Sequence, residues 1–303
     1  MAMGKIAARL ALAVITFCVL LSFIGTATAI GKTGKITVYW GQNTNEGSLR
    51  QTCETRLYST VIISFLTDFG RGNYKLNLAG HSLSEVGPDV DYCQSRKILV
   101  LLALGGGKGT YSLASQGDAK AVAEYLWRMY LGGRPMPRQK RPFGSAVLDG
   151  IDFDIEKGSS QYYDDLARYL KAYSSGNKKV WITAAPQCPY PDRWLGGALK
   201  IGIFDRVHVQ FYNNPACSYG AGNEKAFTRA WNAWTKSLPA GSSIYLGLPA
   251  SPRAARSGYV PPAMLTSTVL PIVQNSAKYG GIMLWNRYWD LQNGYAKDVK
   301  RDV

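Results

Sequence analysis

This sequence contains few histidines, and its acidic residues are outnumbered by basic ones. The 303 residues include two histidines, and 35 lysines and arginines stand against 20 aspartates and glutamates, a formal net charge of +15. His81 and His208 lack metal-ligand partners in sequence, so we expect both to be structural and predict neither a metal nor a cofactor. A basic surface attracts polyanions. The chain carries no recognisable nucleic-acid motif, however, so we expect no nucleic-acid partner.

Long apolar runs are lacking after the first thirty residues. Residues 10–24 form the one long run, which follows Lys5 and Arg9 and precedes the small residues 26–29. This order is typical of a secretory signal peptide, and the run is short for a membrane span. We therefore predict cleavage after Ala29 and a secreted, extracellular or vacuolar monomer of residues 30–303, with no membrane association after cleavage.

Cysteines are few but even in number once the signal peptide is removed. Of the five, Cys18 lies within that peptide. The remaining four, Cys53, Cys93, Cys188 and Cys217, predict two disulfides in an exported chain. Three pairings are open on composition alone.

Nucleotide-binding fingerprints are also missing. Residues 104–110 (LGGGKGT) lack the spacing of a phosphate loop, and no Rossmann pattern is present. Eight short apolar, β-rich runs alternate with helical patterns at 118–130, 161–174 and 224–235. The runs are 36–39, 61–66, 98–103, 147–155, 180–184, 207–212, 244–248 and 281–285. This alternation predicts an α/β fold, a single-domain (β/α)8 TIM barrel, in preference to an open doubly wound sheet. The basic loop 132–142 is predicted to be a solvated insertion.

Residues 149–156 (DGIDFDIE) are the most informative segment. Side chains alternate between the two faces of a strand, so Asp152, Asp154 and Glu156 share the face that points into the barrel. Crowding of buried carboxyl groups raises at least one pKa, as a general acid requires. Glu156 lies nearest the carboxyl end of the strand, where barrel active sites lie. A solvated acidic edge or a calcium site would be the alternatives.

The pattern D-G-x-D-x-D-x-E is the signature of glycoside hydrolase family 18, and the chain resembles the plant class III, hevamine-like chitinases. Supporting segments run from the first strand to the last: 39–43 (YWGQN), 105–107 (GGG), 184–188 (AAPQC), 210–215 (QFYNNP), 247–249 (GLP) and 283–285 (MLW). The resemblance implies a secreted endochitinase that hydrolyses β-1,4-N-acetylglucosamine linkages with retention, in defence against fungi. Its partners would be chitin or N-acetylglucosamine oligomers.

The resemblance also implies roles for individual residues. Glu156 would protonate the leaving oxygen, Asp154 would orient the acetamido group, and Asp152 would support Asp154. Tyr212 would hydrogen-bond the acetamido oxygen, and Trp285 would form a floor beneath the sugar. The other substrate-binding positions would be Tyr39, Gln42, Asn77, Gly106 and Gln210. The implied disulfides are Cys53–Cys93 and Cys188–Cys217.

Cereal xylanase-inhibitor proteins of the same family are the rival class. Several segments resemble them, namely 31–34 (GKTG), 81–87 (HSLSEVG), 202–208 (GIFDRVH) and 279–285 (YGGIMLW). Binding of microbial xylanases is therefore the alternative function. Against it, this chain keeps Asp154, has Gly106 where the inhibitors place a tyrosine, and has a short loop at 175–179. A catalytically silent chitin lectin is a weaker third reading.

Overall fold

A computed structural model describes residues 31–176 and 178–303. The predicted signal peptide, residues 1–29, lies outside the described residues. Eight parallel strands form a closed ring, because the first strand pairs with both the second and the last. This closure confirms the predicted (β/α)8 TIM barrel. The ring strands are β1 (Ile36–Trp40), β2 (Thr60–Asp68), β4 (Leu99–Gly105), β5 (Gly150–Asp154), β6 (Trp181–Ala184), β7 (Arg206–Gln210), β8 (Ser243–Pro249) and β9 (Tyr279–Trp285).

A ninth strand, β3 (Lys75–Leu76), lies outside the ring and pairs antiparallel with β2. Helices follow most of the ring strands and cover its outside. They are α1 (Leu49–Glu54), α2 (Leu83–Ser95), α3 (Gln116–Tyr130), α4 (Tyr163–Ala172), α5 (Gly196–Leu199), α6 (Glu224–Ser237), α7 (Pro262–Met264), α8 (Leu270–Val273), α9 (Arg287–Asn293) and α10 (Tyr295–Val299). Within the described ranges, no helix combines the length and apolar character needed to cross a membrane.

Alternation along the strands divides the buried side chains into two cores. Outward residues such as Ile151 and Phe153 pack in the large cluster beneath the helices. Inward residues such as Leu101 and Ala103 belong to a smaller cluster inside the ring. The inward aspartates of β5 are buried among this second set, as the strand pattern predicted.

Two predicted strands end earlier than expected. The strand β5 ends at Asp154 and β7 ends at Gln210, so Glu156 and Tyr212 lie in the loops that follow. The strand β5 also begins only at Gly150. The Asp149 carboxylate accepts a hydrogen bond from the Val100 amide at 2.7 Å, which ties that residue to the entrance of β4.

Both implied disulfides are present. Cys53–Cys93 joins α1 to α2, on the outside of the barrel. Cys188–Cys217 joins the loop after β6 to the loop after β7. The second bridge therefore ties together two loops at the carboxyl end of the barrel.

Candidate active site

The carboxyl groups of β5 lie at successive depths in the barrel. Asp152 is fully buried within the ring, and Asp154, at the end of the strand, is also buried. Glu156 follows two residues later, where its amide donates a 3.0 Å hydrogen bond to the Tyr111 hydroxyl. The three side chains therefore run from the barrel interior to its carboxyl-end opening.

Asp152 is held by inward-facing side chains of other strands. Its Oδ2 accepts a 2.7 Å hydrogen bond from the Tyr39 hydroxyl, and its Oδ1 accepts one from Thr183. The Nδ1 atom of His208 lies 3.4 Å from the same Oδ1. Burial lowers the pKa of His208, which favours the neutral ring. Asp152 is thus fixed in position behind Asp154.

Tyr39 packs against the carboxyl cluster inside the barrel. The residue is 1% exposed. It lies beneath Trp285, with ring centroids 5.6 Å apart, and is not among the residues that line the cavity described below. Its hydroxyl is directed to Asp152 instead. The side chain therefore supports the carboxyl cluster from its inward register on β1, and its contact with substrate stays a prediction.

Gln210 links the two outer carboxyl groups. Its Nε2 donates to Asp154 Oδ1 at 3.0 Å, to Glu156 Oε1 at 3.1 Å and to the Ala185 carbonyl at 2.8 Å. Both carboxyl groups therefore accept from the same nitrogen atom. The pair therefore forms one connected unit and not two independent acids.

Burial dominates the electrostatics of this pair. It raises the pKa of Asp154 well above its usual range, and the charges of Glu156 and Asp152 raise it further. Burial also raises the pKa of Glu156, although hydrogen bonds from Gln210 and Asp154 oppose the change. The pair therefore retains a proton to a higher pH than an exposed carboxyl group does.

A cavity of about 380 Å³ opens directly above these groups. Tyr212 and Trp285 border it, together with Asp154, Glu156 and Gln210. The remaining lining residues are Phe65, Gly107, Gln187 and Asn213. The cavity therefore brings most of the predicted catalytic residues together with an aromatic wall, and is hereafter the catalytic cavity.

A second cavity of about 360 Å³ adjoins the first and shares Phe65, Gly107 and Trp285 with it. Gln42 and Asn77 line this adjoining cavity. The Gln42 amide donates to the Ser64 carbonyl at 2.8 Å and to the Asn77 carbonyl at 3.1 Å. The two cavities together have room for more than one sugar residue of a chain.

Two glycines after β4 differ in their surroundings. Gly106 has φ +80, and a β-carbon there would lie 3.1 Å from the ring of Phe65, a residue that lines the cavity. Gly107, the next residue, lines both cavities, and its β-carbon would lie 3.2 Å from Glu156 Oε2. Gly107 therefore borders the open space beside Glu156, and a sugar contact at Gly106 stays a prediction. A tyrosine at position 106 would be strained.

Some contacts were not predicted from the sequence. The Tyr111 hydroxyl donates to the Gly106 carbonyl at 2.8 Å and accepts from the Glu156 amide, so it fixes both flanking loops. No sequence pattern marks this residue, since its partners are distant in the chain. The inward direction of Thr183 could have been predicted from the sequence, because alternation along β6 places it next to Asp152.

In the described part of the chain, no group of three His, Cys, Asp or Glu side chains is arranged to hold a metal ion.

A parallel barrel that holds a carboxyl pair and an aromatic wall at the carboxyl end of its strands has the architecture of a glycoside hydrolase. The family model described as glycosyl hydrolases family 18 matches residues 35–260. The chain belongs to that family.

Known proteins with similar sequences and structures include both enzymes and inhibitors. The acidic endochitinase of Arabidopsis thaliana is 51% identical over 277 residues, which span 89% of this chain and 90% of the relative. The crystal structure of the ICChI chitinase from Ipomoea carnea has a TM-score of 0.84 at 43% identity, covering 89% of this chain and 100% of that one. The xylanase and alpha-amylase inhibitor protein XAIP-II from Scadoxus multiflorus has a TM-score of 0.85 at 43% identity, covering 90% and 100%.

Proposed function

We propose that this protein is a secreted endochitinase that hydrolyses β-1,4-N-acetylglucosamine linkages with retention, in defence against fungi. The endochitinase relative, similar over almost its full length, supports the reaction class. The catalytic cavity supports it independently, since it offers a proton donor, an aromatic wall and an adjoining space for further sugars.

The contact between Asp154 and Glu156 carries the mechanistic part of the proposal. In two-carboxylate glycosidases the acid and its partner stand apart, with the sugar or a water between them. Here one nitrogen atom of Gln210 donates to both carboxyl groups, at 3.0 Å to Asp154 and at 3.1 Å to Glu156. The two groups are therefore held close together on one side of the cavity. The nucleophile is therefore supplied by the substrate, as its acetamido oxygen.

The first step begins with proton transfer from Glu156 to the glycosidic oxygen. As that C1–O bond breaks, the acetamido oxygen bonds to C1 and forms an oxazolinium ion. Asp154 orients the acetamido N–H and balances the positive charge, while Asp152 holds Asp154 in place. Tyr212 donates a hydrogen bond to the acetamido oxygen, and Trp285 supports the apolar face of the ring.

The second step reverses the proton's direction. Glu156, now ionised, takes a proton from water as that water adds to C1 and opens the oxazolinium ring. Two displacements at C1 leave the product with the configuration of the substrate. Burial raises the pKa of Glu156, which favours the protonated form that the first step needs.

Replacing the acid tests the proposal directly. We expect Glu156→Gln to lower kcat on a soluble chitin oligomer by about 10² to 10⁴ because the nearly isosteric amide cannot supply the proton. Melting followed by circular dichroism should stay close to that of the wild type. Glu85→Gln, an exposed change on α2, is the matched control and should retain activity. Hydrolysis by Glu156→Gln within a few-fold of the wild type would show that another group is the acid.

Product stereochemistry separates the substrate-assisted mechanism from direct attack by water. NMR during early turnover should show the β-anomer first. Oligomers deacetylated at the sugar that precedes the cut should be poor substrates, because they lack the nucleophile. Initial formation of the α-anomer would rule out the mechanism while leaving chitin hydrolysis itself intact.

Inhibition of microbial xylanases is the second candidate, since XAIP-II matches this chain as closely in structure as the chitinase does. Gly107 leaves the space beside Glu156 open, as hydrolysis of a sugar chain requires. Assays of one preparation against a chitin oligomer and against fungal xylanases separate the two. Tight xylanase inhibition without chitin hydrolysis would replace the main proposal.

A further inference from the structure

The basic loop at residues 132–142 is folded back on itself, although most of its side chains are exposed. The guanidinium of Arg141 donates to the Gly133 carbonyl at 2.6 Å and to the Arg128 carbonyl at 3.1 Å. Within the loop, Met136 and Gln139 exchange hydrogen bonds. The loop therefore presents its cationic side chains from a fixed backbone.

A cavity of about 820 Å³ lies between this loop and the ends of α3 and α4. Trp127 and Tyr173 border it, and their rings stack at 4.5 Å with an interplanar angle of 5°. Arg128 and Arg134 add positive charge, and Met136, 53% exposed, adds an apolar edge. We call this site the basic aromatic cavity.

The basic aromatic cavity lies at the opposite end of the barrel from the catalytic cavity. Helix α3 and its following loop lead into β5, and α4 leads into β6, so the helix ends meet the amino ends of the strands. The catalytic residues follow the carboxyl ends of the same strands. A ligand can therefore occupy the basic aromatic cavity while the catalytic cavity is in use.

Positive charge dominates around the basic aromatic cavity. The one carboxylate in its lining, Glu124, pairs with Arg128 at 3.9 Å. Arg134, Arg138 and Lys140 are exposed, and within residues 31–176 and 178–303 none of them forms an ion pair. These cations therefore remain available to an anionic ligand.

We propose that the basic aromatic cavity binds a segment of acidic polysaccharide, a chain of uronic acid sugars. Arginine matches the fork geometry of a carboxylate better than lysine does, and Arg134 has no competing carboxylate. The apolar faces of the sugar rings pack against Tyr173 and Met136. A single-stranded nucleic acid fits less well, since its successive bases need separate aromatic platforms. Trp127 and Tyr173 instead stack on each other.

Binding of polygalacturonate to the complete protein tests this assignment. We expect binding that weakens with salt, is lost for a fully methyl-esterified polymer, and is about tenfold weaker in Arg134→Gln. Arg229→Gln, which removes an equal charge from an exposed site on α6, should bind like the wild type. Both variants should hydrolyse chitin oligomers normally.

A second variant tests what the aromatic side chain contributes to polygalacturonate binding. Tyr173→Ala should also weaken polygalacturonate binding, with a melting measurement to establish that the variant is folded. Equal losses in Arg229→Gln and Arg134→Gln would mean that net charge alone attracts the polymer, and would overturn the site. A single-stranded DNA of similar charge that binds more tightly, and loses that binding in Arg134→Gln, would overturn the choice of ligand.

Discussion

Gly107 shows how closely one residue can control the space beside the acid. Any side chain begins with a β-carbon, and here it would lie 3.2 Å from Glu156 Oε2. We expect Gly107→Ala to lower kcat/KM on chitin oligomers by about tenfold, because the methyl displaces either the acid or the sugar. Gly197→Ala, where nothing lies within 4 Å, is the matched control. Unchanged kinetics in Gly107→Ala would place the sugar elsewhere.

We expect Asp154 to lower the stability of the folded chain at neutral pH, although the residue is needed for activity. A carboxyl group whose pKa is raised by folding binds its proton more tightly in the folded chain, so stability falls as pH rises through the raised pKa. Below about pH 4, the ordinary range of an aspartate, that loss is absent. Asp154→Asn avoids the buried charge. It should therefore be more stable than the wild type at pH 7 to 8.

The measurement for Asp154→Asn is the melting temperature of both proteins from pH 4 to pH 8. The two curves should converge at the acidic end and separate toward pH 8, while the variant loses activity throughout. A variant that is less stable than the wild type at every pH would mean that the carboxylate stabilises the folded barrel.

At the scale of elements, the two disulfides form a natural comparison. They close segments of 40 and 29 residues, so loop-closure entropy assigns them nearly equal stabilisation, about 4 kcal/mol each. Their surroundings differ. Cys188–Cys217 joins the loop that carries Gln187 to the loop that carries Tyr212, and Asn214 donates a 2.6 Å hydrogen bond to Gln187 across it.

We therefore expect the two double alanine variants to lose similar stability in denaturant but to differ in kinetics. Removing Cys188–Cys217 should lower kcat/KM on chitin oligomers, because the loops that border the catalytic cavity gain freedom. Removing Cys53–Cys93, between α1 and α2, should leave the kinetic constants of the folded protein unchanged. Equal kinetic losses would show that the bridge near the site has no special effect on its geometry.

Strand periodicity predicted which carboxyl groups face inward, because alternation is a property of the strand alone. It placed Asp152 and Asp154 correctly. It did not predict where the strands end, so Glu156 and Tyr212 were assigned to strands although they lie in loops. Loop positions depend on contacts with other loops, such as that of Tyr111 with Glu156, which no local pattern contains.

At the scale of the whole molecule, eight alternating runs were enough to predict the barrel, since few folds accommodate that many parallel strands with helices between them. The net charge of +15 also follows from the sequence, but the positions of the charged side chains in the fold do not. Trp127 lies on α3 and Tyr173 directly follows α4, and the two rings meet because α3 and α4 pack side by side. A site assembled in this way has no signature in the linear order of residues.

The register of β5 has a consequence for how such a gene can change. Ile151 lies opposite Leu102 on one edge, and Asp152 lies opposite Thr183 on the other. Loss of one codon within the strand would exchange its faces, so that a phenylalanine pointed at the sugar and aspartates pointed into the apolar layer beneath the helices. Loss of a codon within loop 132–142 exchanges nothing. Related genes can therefore gain or lose residues in this loop at the amino end of the barrel. In the catalytic strand they are expected to differ by substitutions instead.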